Sequence, residues 1–406
     1  MNTELFLAQK LRKTKGKTFS SSVINIGVAS IAIGVAAVLI SFSVLMGFKN
    51  TIKEKLFSMS GHLQVRKITL NQSFDEAPFS NSLAYQKLLE ENENIASINA
   101  IGLKSALLKS ENEISGILLK GIDQNYNSSF FENNLIEGRF IDFDPGSYSK
   151  EIIISETQRR LLDVNLGDDL LIYFIQQPPR ARKVTIVGVY STGIEDIDKS
   201  NAMVDLNLIR RINEWDSLAV GHSEVFLNEL DKADETVNQL YEVIPQDLEV
   251  RQVSKMMPAF FDWFNLLDRN IVIVIFLIVI VASFNMVSVL LIMIMERTPM
   301  IGLLKSLGAK NGLIQRIFIA NAIQIIMKGL ILGNALAISL CLLQDRLKLI
   351  PLDPQSYYMD YVPVSWDWLV FFQVNLATIL IVGLIVSLPT WAILKITPVK
   401  ALKYKE

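Results

Sequence analysis

Four stretches of the chain run long enough without charge to cross a bilayer: 20–47, 270–295, 317–344 and 368–394. A helical crossing takes about 20 apolar residues, since the hydrocarbon core offers no partners to backbone polar groups. Only the third stretch carries a charge, Lys328. The first has a basic lead (Lys10, Arg12, Lys13, Lys15, Lys17), as a cleavable signal would. Its apolar part is too long for one, and a domain-sized segment follows, so it is expected to remain as an anchor.

The spans fix the remaining segments as 1–19, 48–269, 296–316, 345–367 and 395–406. Lys and Arg concentrate in the first, third and last. The loop 296–316 holds Arg297, Lys305, Lys310 and Arg316, and the tail holds Lys395, Lys400, Lys403 and Lys405. Positive charge stays on the cytoplasmic side, so both termini are expected there and 48–269 outside. Phe260, Phe261, Trp263 and Phe264 precede the second span, and Trp366 and Trp368 precede the fourth, as in an interfacial aromatic belt.

Segment 48–269 is long enough for its own core. Residues 62–68, 117–122, 183–191 and 248–253 read as strands, and 83–92 and 230–244 as helices. Residues 151–175 read as strand, short helix, glycine turn and strand. The mixture predicts an α+β domain. Its ends, 47–59 and 252–270, read as helical stalks feeding the first and second spans. The expected fold is a membrane protein with four transmembrane helices and a large α+β domain inserted between helices 1 and 2.

Little in the chain suggests catalysis. Gly16-Lys17-Thr18 resembles the end of a phosphate-binding loop, but Leu11 stands where that loop needs glycine. His62 and His222 have no cysteine cluster beside them, so no metal site is expected. Cys341 is the sole cysteine, so no intramolecular disulfide is available. The net charge of −2 gives no reason to expect a nucleic-acid partner.

Two features invite function. Lys328 at the centre of a span costs about 2.5–3.5 kcal/mol on insertion scales. It either snorkels or pairs with a neighbouring helix, or meets an anionic group in a lateral cavity. The second feature is the stretch 296–310, ERTPMIGLLKSLGAK. Thr298 reads as an N-cap and Pro299 as the first helical residue. Met300, Leu303, Leu304 and Leu307 fall on one stripe. Lys305 suits the last turn, and Gly308 suits a left-handed stop. The result is a short, stiff cytoplasmic lever between two spans.

Arg297-Thr298, Ile301-Gly302, Leu304-Lys305 and Leu307-Gly308-Ala309 resemble the coupling-helix signature of a bacterial ABC permease superfamily. That superfamily includes lipoprotein-releasing permeases (LolC/LolE-like), macrolide exporters of the MacB kind and the FtsX-type cell-division permease. An acid is usual there in place of Met300. The run 41–56 with Ser60-Gly61-His62, the run 151–174, and the tail from Pro389 through Ile396-Thr397-Pro398-Val399-Lys400-Ala401-Leu402 resemble the same superfamily, best its lipoprotein-releasing branch.

The resemblance implies a non-catalytic permease subunit in a bacterial inner membrane, extracting lipoproteins and passing them to a periplasmic carrier. ATP and magnesium would be bound by a separate ABC ATPase in two copies, leaving no cofactor in this chain. A second permease chain would complete a homodimer or a related heterodimer. Residues 297–309, with Pro299, Met300 and Leu303 between the matched positions, would seat on the ATPase, held by Leu303, Leu304 and Leu307. Leu45, Met46, Phe48, Phe260, Phe261 and Phe264 would line lateral access for lipid and substrate. The short connection 176–182, with Gln177, Pro178, Pro179 and Arg180, is the candidate carrier-docking loop. The rival expectations are a macrolide- or peptide-type exporter and a transmembrane regulator of cell-wall hydrolases.

Overall fold

The computed structural model describes residues 19–69, 76–144 and 146–390. The chain divides into a helical unit (Met1–Asn50, Trp263–Ile350, Val362–Glu406) and a mixed unit (Thr51–Asp262, Pro351–Tyr361). The basic N-terminal lead, Gly16-Lys17-Thr18 and the tail from 391 onward lie outside the described residues.

Five helices matter in the helical unit: α1 (Phe19–Ser60), α2 (Pro258–Glu296), α3 (Thr298–Ser306), α4 (Asn311–Leu347) and α5 (Trp368–Thr390). All but α3 are long and apolar enough to cross a membrane. Their core includes Ile31, Leu39, Leu290, Ile314, Ala322 and Ala337. In lipid, burial of apolar surface gives helices little reason to associate, so close backbone approach and polar pairs must hold them. Gly329 and Gly333 supply the approach of α4 to α1. A Cβ at 329 would stand 2.6 Å from Ile31 Cγ2, and one at 333 would stand 2.7 Å from the Ala32 carbonyl oxygen. A reciprocal amide pair joins α4 to α5: Asn334 Nδ2 donates to Asn375 Oδ1 at 2.6 Å, and Asn375 Nδ2 donates back at 2.9 Å.

Among the described residues, the mixed unit has twelve strands: β1 (Leu63–Lys67), β2 (Phe79–Ser80), β3 (Ile95–Lys109), β4 (Ile114–Ile122), β5 (Leu135–Gly138), β6 (Glu151–Ser155), β7 (Asp169–Phe174), β8 (Arg180–Tyr190), β9 (Asn201–Asp205), β10 (Ala219–Val220), β11 (His222–Leu227) and β12 (Leu248–Gln252). Ten form one sheet in the order β12-β1-β11-β3-β4-β9-β6-β8-β5, with β7 pairing both β3 and β8; β2 and β10 form a separate pair. Strand β3 spans two lobes. Its first half pairs β11, and its second half pairs β4 and β7. One lobe packs Leu63, Val65, Leu89, Val225 and Leu240. The other packs Leu119, Ile152, Ile172, Ile186 and Leu208.

The strands and helices expected at 62–68, 83–92, 117–122, 151–175, 183–191, 230–244 and 248–253 each overlap an observed element. Strands β3, β9 and β11 carry the middle of the sheet without having been expected. The β3 sequence, IASINAIGLKSALLK, lacks clean alternation because both of its faces are buried at 99–102 and Lys104 occupies a buried position beyond them. In β11, His222 and Glu224 are buried, so its polar residues disguise an inner strand.

The two stalks differ. Helix α1 runs unbroken to Ser60, and Gly61, at φ +71°, ends it. The second is not one helix. A turn of helix covers Val253–Met256, Met257 leaves helical geometry, and α2 starts afresh at Pro258. Proline has no N–H to continue the earlier helix, yet suits the first turn of a new one.

The 345–367 connection also holds more than a loop. Pro351 bridges Tyr361, a short helix covers Pro354–Tyr357, and residues 351–361 belong to the mixed unit. Lys55, near the end of α1, donates to the Thr192 carbonyl at 2.6 Å and the Tyr358 carbonyl at 2.8 Å.

Candidate coupling and lateral-access sites

Helix α3 begins one residue after α2 ends. Arg297 occupies the cap position without a side-chain cap, and Thr298 is already inside the helix. This corrects the expected role of Thr298. Its Oγ1 donates 3.1 Å to the Ile294 carbonyl, satisfying one of the acceptors left over at the end of α2. The far end agrees with the expected glycine stop: Gly308 has φ +87°. Gly308 N–H donates to Lys305 and Ala309 N–H to Leu304, the paired bonds of a Schellman cap.

The expected stripe divides. Ile301 is fully buried, Gly302 is buried beside it, and Leu304 is packed against the helical core. Met300 lines a cleft with Arg297. Leu303 and Leu307 point away, 55% and 76% exposed. Leu304 therefore anchors α3 to its own unit, and of the stripe Leu303 and Leu307, one turn apart, present apolar surface outward.

The residues expected to line lateral access also part into two sets. Leu45, Met46, Phe48 and Phe264 belong to the helical unit, whereas Phe260 and Phe261 belong to the mixed unit. Phe264 is 2% exposed, a packing residue rather than a lining one. Phe48 meets Trp263 edge-on at 5.6 Å. Phe260 and Phe261 contact Tyr358 and Phe57, respectively. Beside Phe48, Lys49 Nζ holds both carboxylate oxygens of Asp268, at 2.7 and 2.6 Å, clasping α1 to α2.

Lys328 lies on the cleft that holds Arg297 and Met300, together with Asn321 and Gln324. The connection from β7 to β8 spans Ile175–Pro179. Gln177, Pro178 and Pro179 are exposed on it. Arg180 is instead the first residue of β8 and is held in place. It donates to the Ile212 carbonyl at 3.0 Å and to Glu214 at 2.5 Å. Its charge is thus already engaged within the domain.

One charged network had no sequence signal beyond a lysine within a strand. Lys120 Nζ lies 2.8 Å from Glu224 Oε1 and donates to the Met59 carbonyl at the end of α1. His222 Nδ1 lies 2.6 Å from Glu76, and its Nε2 lies 3.7 Å from Glu224. Burial alone would push His222 down, but the neighbouring carboxylates of Glu76 and Glu224 outweigh it and raise the group to about 9. Burial would raise Glu224, yet the Lys120 charge keeps it below the ordinary carboxylate value. A buried pair is tolerated here because each charge has several partners.

Residues 26–240 match the family described as MacB-like periplasmic core domain, and residues 272–398 match the FtsX-like permease C-terminal family. The lipoprotein-releasing system transmembrane protein LolC of Neisseria meningitidis serogroup B is 25% identical over 377 residues, covering 88% of each chain. The corresponding LolE of Haemophilus influenzae is 23% identical over 423 residues, covering 99% of each. The periplasmic region of MacB from Actinobacillus actinomycetemcomitans aligns with 48% of this chain and 91% of its own, at 14% identity and a TM-score of 0.34. With the core-domain match alone covering more than half of its length, the chain belongs to the MacB/FtsX-type permease superfamily.

Proposed function

We propose that the chain is the permease subunit of a lipoprotein-releasing complex in a bacterial inner membrane. Near-full-length similarity to proteins named for that system supports the reading. The chain is a non-catalytic transmitter, and a separate ABC ATPase binds ATP and magnesium. Two ATPase copies serve a pair of permease chains, either identical or related. The termini are cytoplasmic, and the mixed domain, inserted between the first and second spans, is periplasmic. Lipid-anchored proteins enter laterally at the outer ends of α1 and α2 and pass to a periplasmic carrier.

The observation that carries the mechanism is the division of α3. Ile301 and Leu304 bind the helix to its own spans, while Leu303 and Leu307 remain outward. A push on the exposed leucines is therefore transmitted to the spans instead of rolling α3 on the surface. Depletion of the protein followed by membrane fractionation tests the reading. Lipoproteins should accumulate in the inner membrane. Normal release would overturn it, and intact release with loss of hydrolase activation would favour the regulator.

A further inference from the structure

The cleft between the end of α2 and the middle of α4 holds more polar groups than a purely structural packing of spans needs. Asn321, Gln324 and Lys328 all line it, with Arg297 at its α2 side. At spacings of i, i+3 and i+7 the three α4 residues share one helix face. They extend about 10 Å along the axis at ~1.5 Å per residue. Ile317 and Phe318 continue the lining one turn before them. Among the described residues, no side chain hydrogen-bonds or ion-pairs with Asn321, Gln324 or Lys328. A polar side chain on a membrane helix is costly without a partner, so this face calls for one.

We infer that the cleft binds the phosphate headgroup of an anionic phospholipid. Helical side chains lean toward the N-terminus, which brings the Lys328 ammonium back toward the level of Gln324 and Asn321. Arg297 lines the same cleft and adds a second positive charge to it, and the two amides supply neutral donors to the rest of the headgroup. Ile317 and Phe318 provide the apolar wall that an acyl chain requires and a free anion does not. The cleft also includes Met300 of the coupling helix, so bound lipid touches the same element that faces the ATPase. This inference concerns the chain alone and stands whether or not the cargo is a lipoprotein.

Native mass spectrometry of the purified full-length protein tests it. The protein is equilibrated with an equimolar mixture of phosphatidylglycerol and phosphatidylcholine. The wild type should retain phosphatidylglycerol preferentially. Lys328→Gln and Arg297→Gln should each lower that retention by about tenfold, the loss of one charge-assisted contact. Lys328→Arg should keep it, and Lys310→Gln, an exposed cation outside the cleft, should leave it unchanged. Millimolar inorganic phosphate should fail to displace the lipid; displacement would assign the site to a free phosphate anion. Equal retention of both lipids by the wild type, or unchanged retention by Lys328→Gln, would overturn the inference. So would a Lys328→Cys variant that cross-links to a second protein chain, because a protein would then fill the cleft.

Discussion

Lys49 on α1 grips Asp268 on α2 through both carboxylate oxygens, at 2.6 and 2.7 Å. The lysine side chain is 10% exposed and the aspartate 44%. The lysine therefore depends on the pair more than the aspartate does. Asp268→Asn should cost about 1–2 kcal/mol, discounted from a fully buried pair because Asp268 is only partly covered by the protein. The exchanged variant Lys49→Asp/Asp268→Lys should recover part of that loss. Melting of the purified protein reads both, and a loss that the exchange deepens would deny the pairing.

The division of α3 predicts two phenotypes within one turn of helix. Leu303→Asp and Leu307→Asp should leave the protein folded and lower co-purification of the partner ATPase by about tenfold or more. Ile301→Asp should instead destabilise the helical unit, since it places a charge at a fully buried position. Leu304→Asp belongs with Ile301. If the Leu303 and Leu307 variants bind the ATPase normally, α3 is not the contact.

The His222 network predicts a stability slope on the alkaline side. A histidine raised to about 9 stabilises the fold fully below its ordinary value of 6.5 and loses that contribution as pH rises through about 9. The loss is on the order of 3 kcal/mol. The melting temperature should therefore fall between pH 7 and 9.5, and His222→Gln should flatten that fall. Glu224 acts in the opposite direction. Held below its ordinary 4.5, it contributes above that pH and loses its contribution on acidification. Parallel alkaline curves for wild type and His222→Gln would remove His222 from the account.

The Asn334–Asn375 pair should show measurable coupling. Each single leucine substitution leaves one amide without its partner, whereas the double substitution leaves neither. A double-mutant cycle in detergent should give about 0.6–1.7 kcal/mol of interaction energy. Strict additivity would mean that the two amides do not depend on each other.

The membrane part of this architecture was legible because long uncharged runs have few other fates. Helix α3 was legible as a helix, because Pro299 and Gly308 act through local backbone geometry. Which of its leucines face outward was not legible. A stripe at helical spacing marks an apolar face, but α3 meets its own core on one side and leaves the neighbouring angle outward, so Leu303 and Leu304 diverge. In the mixed domain, strands with one covered face announced themselves. Strand β3, buried on both faces at 99–102 and carrying the buried Lys104, and β11, with its interior His222 and Glu224, did not. The Lys55 contact to the 351–361 segment joins residues some three hundred positions apart, beyond the reach of any local pattern.

That last contact has a consequence for synthesis. The mixed domain is discontinuous: its final piece, 351–361, emerges only after α2, α3 and α4 have been made. Until then Lys55 has the Thr192 carbonyl but lacks the Tyr358 carbonyl. The domain therefore cannot finish folding before this last piece is made. Its completion waits on the synthesis of α4, so a chain halted before residue 351 would carry an unfinished domain.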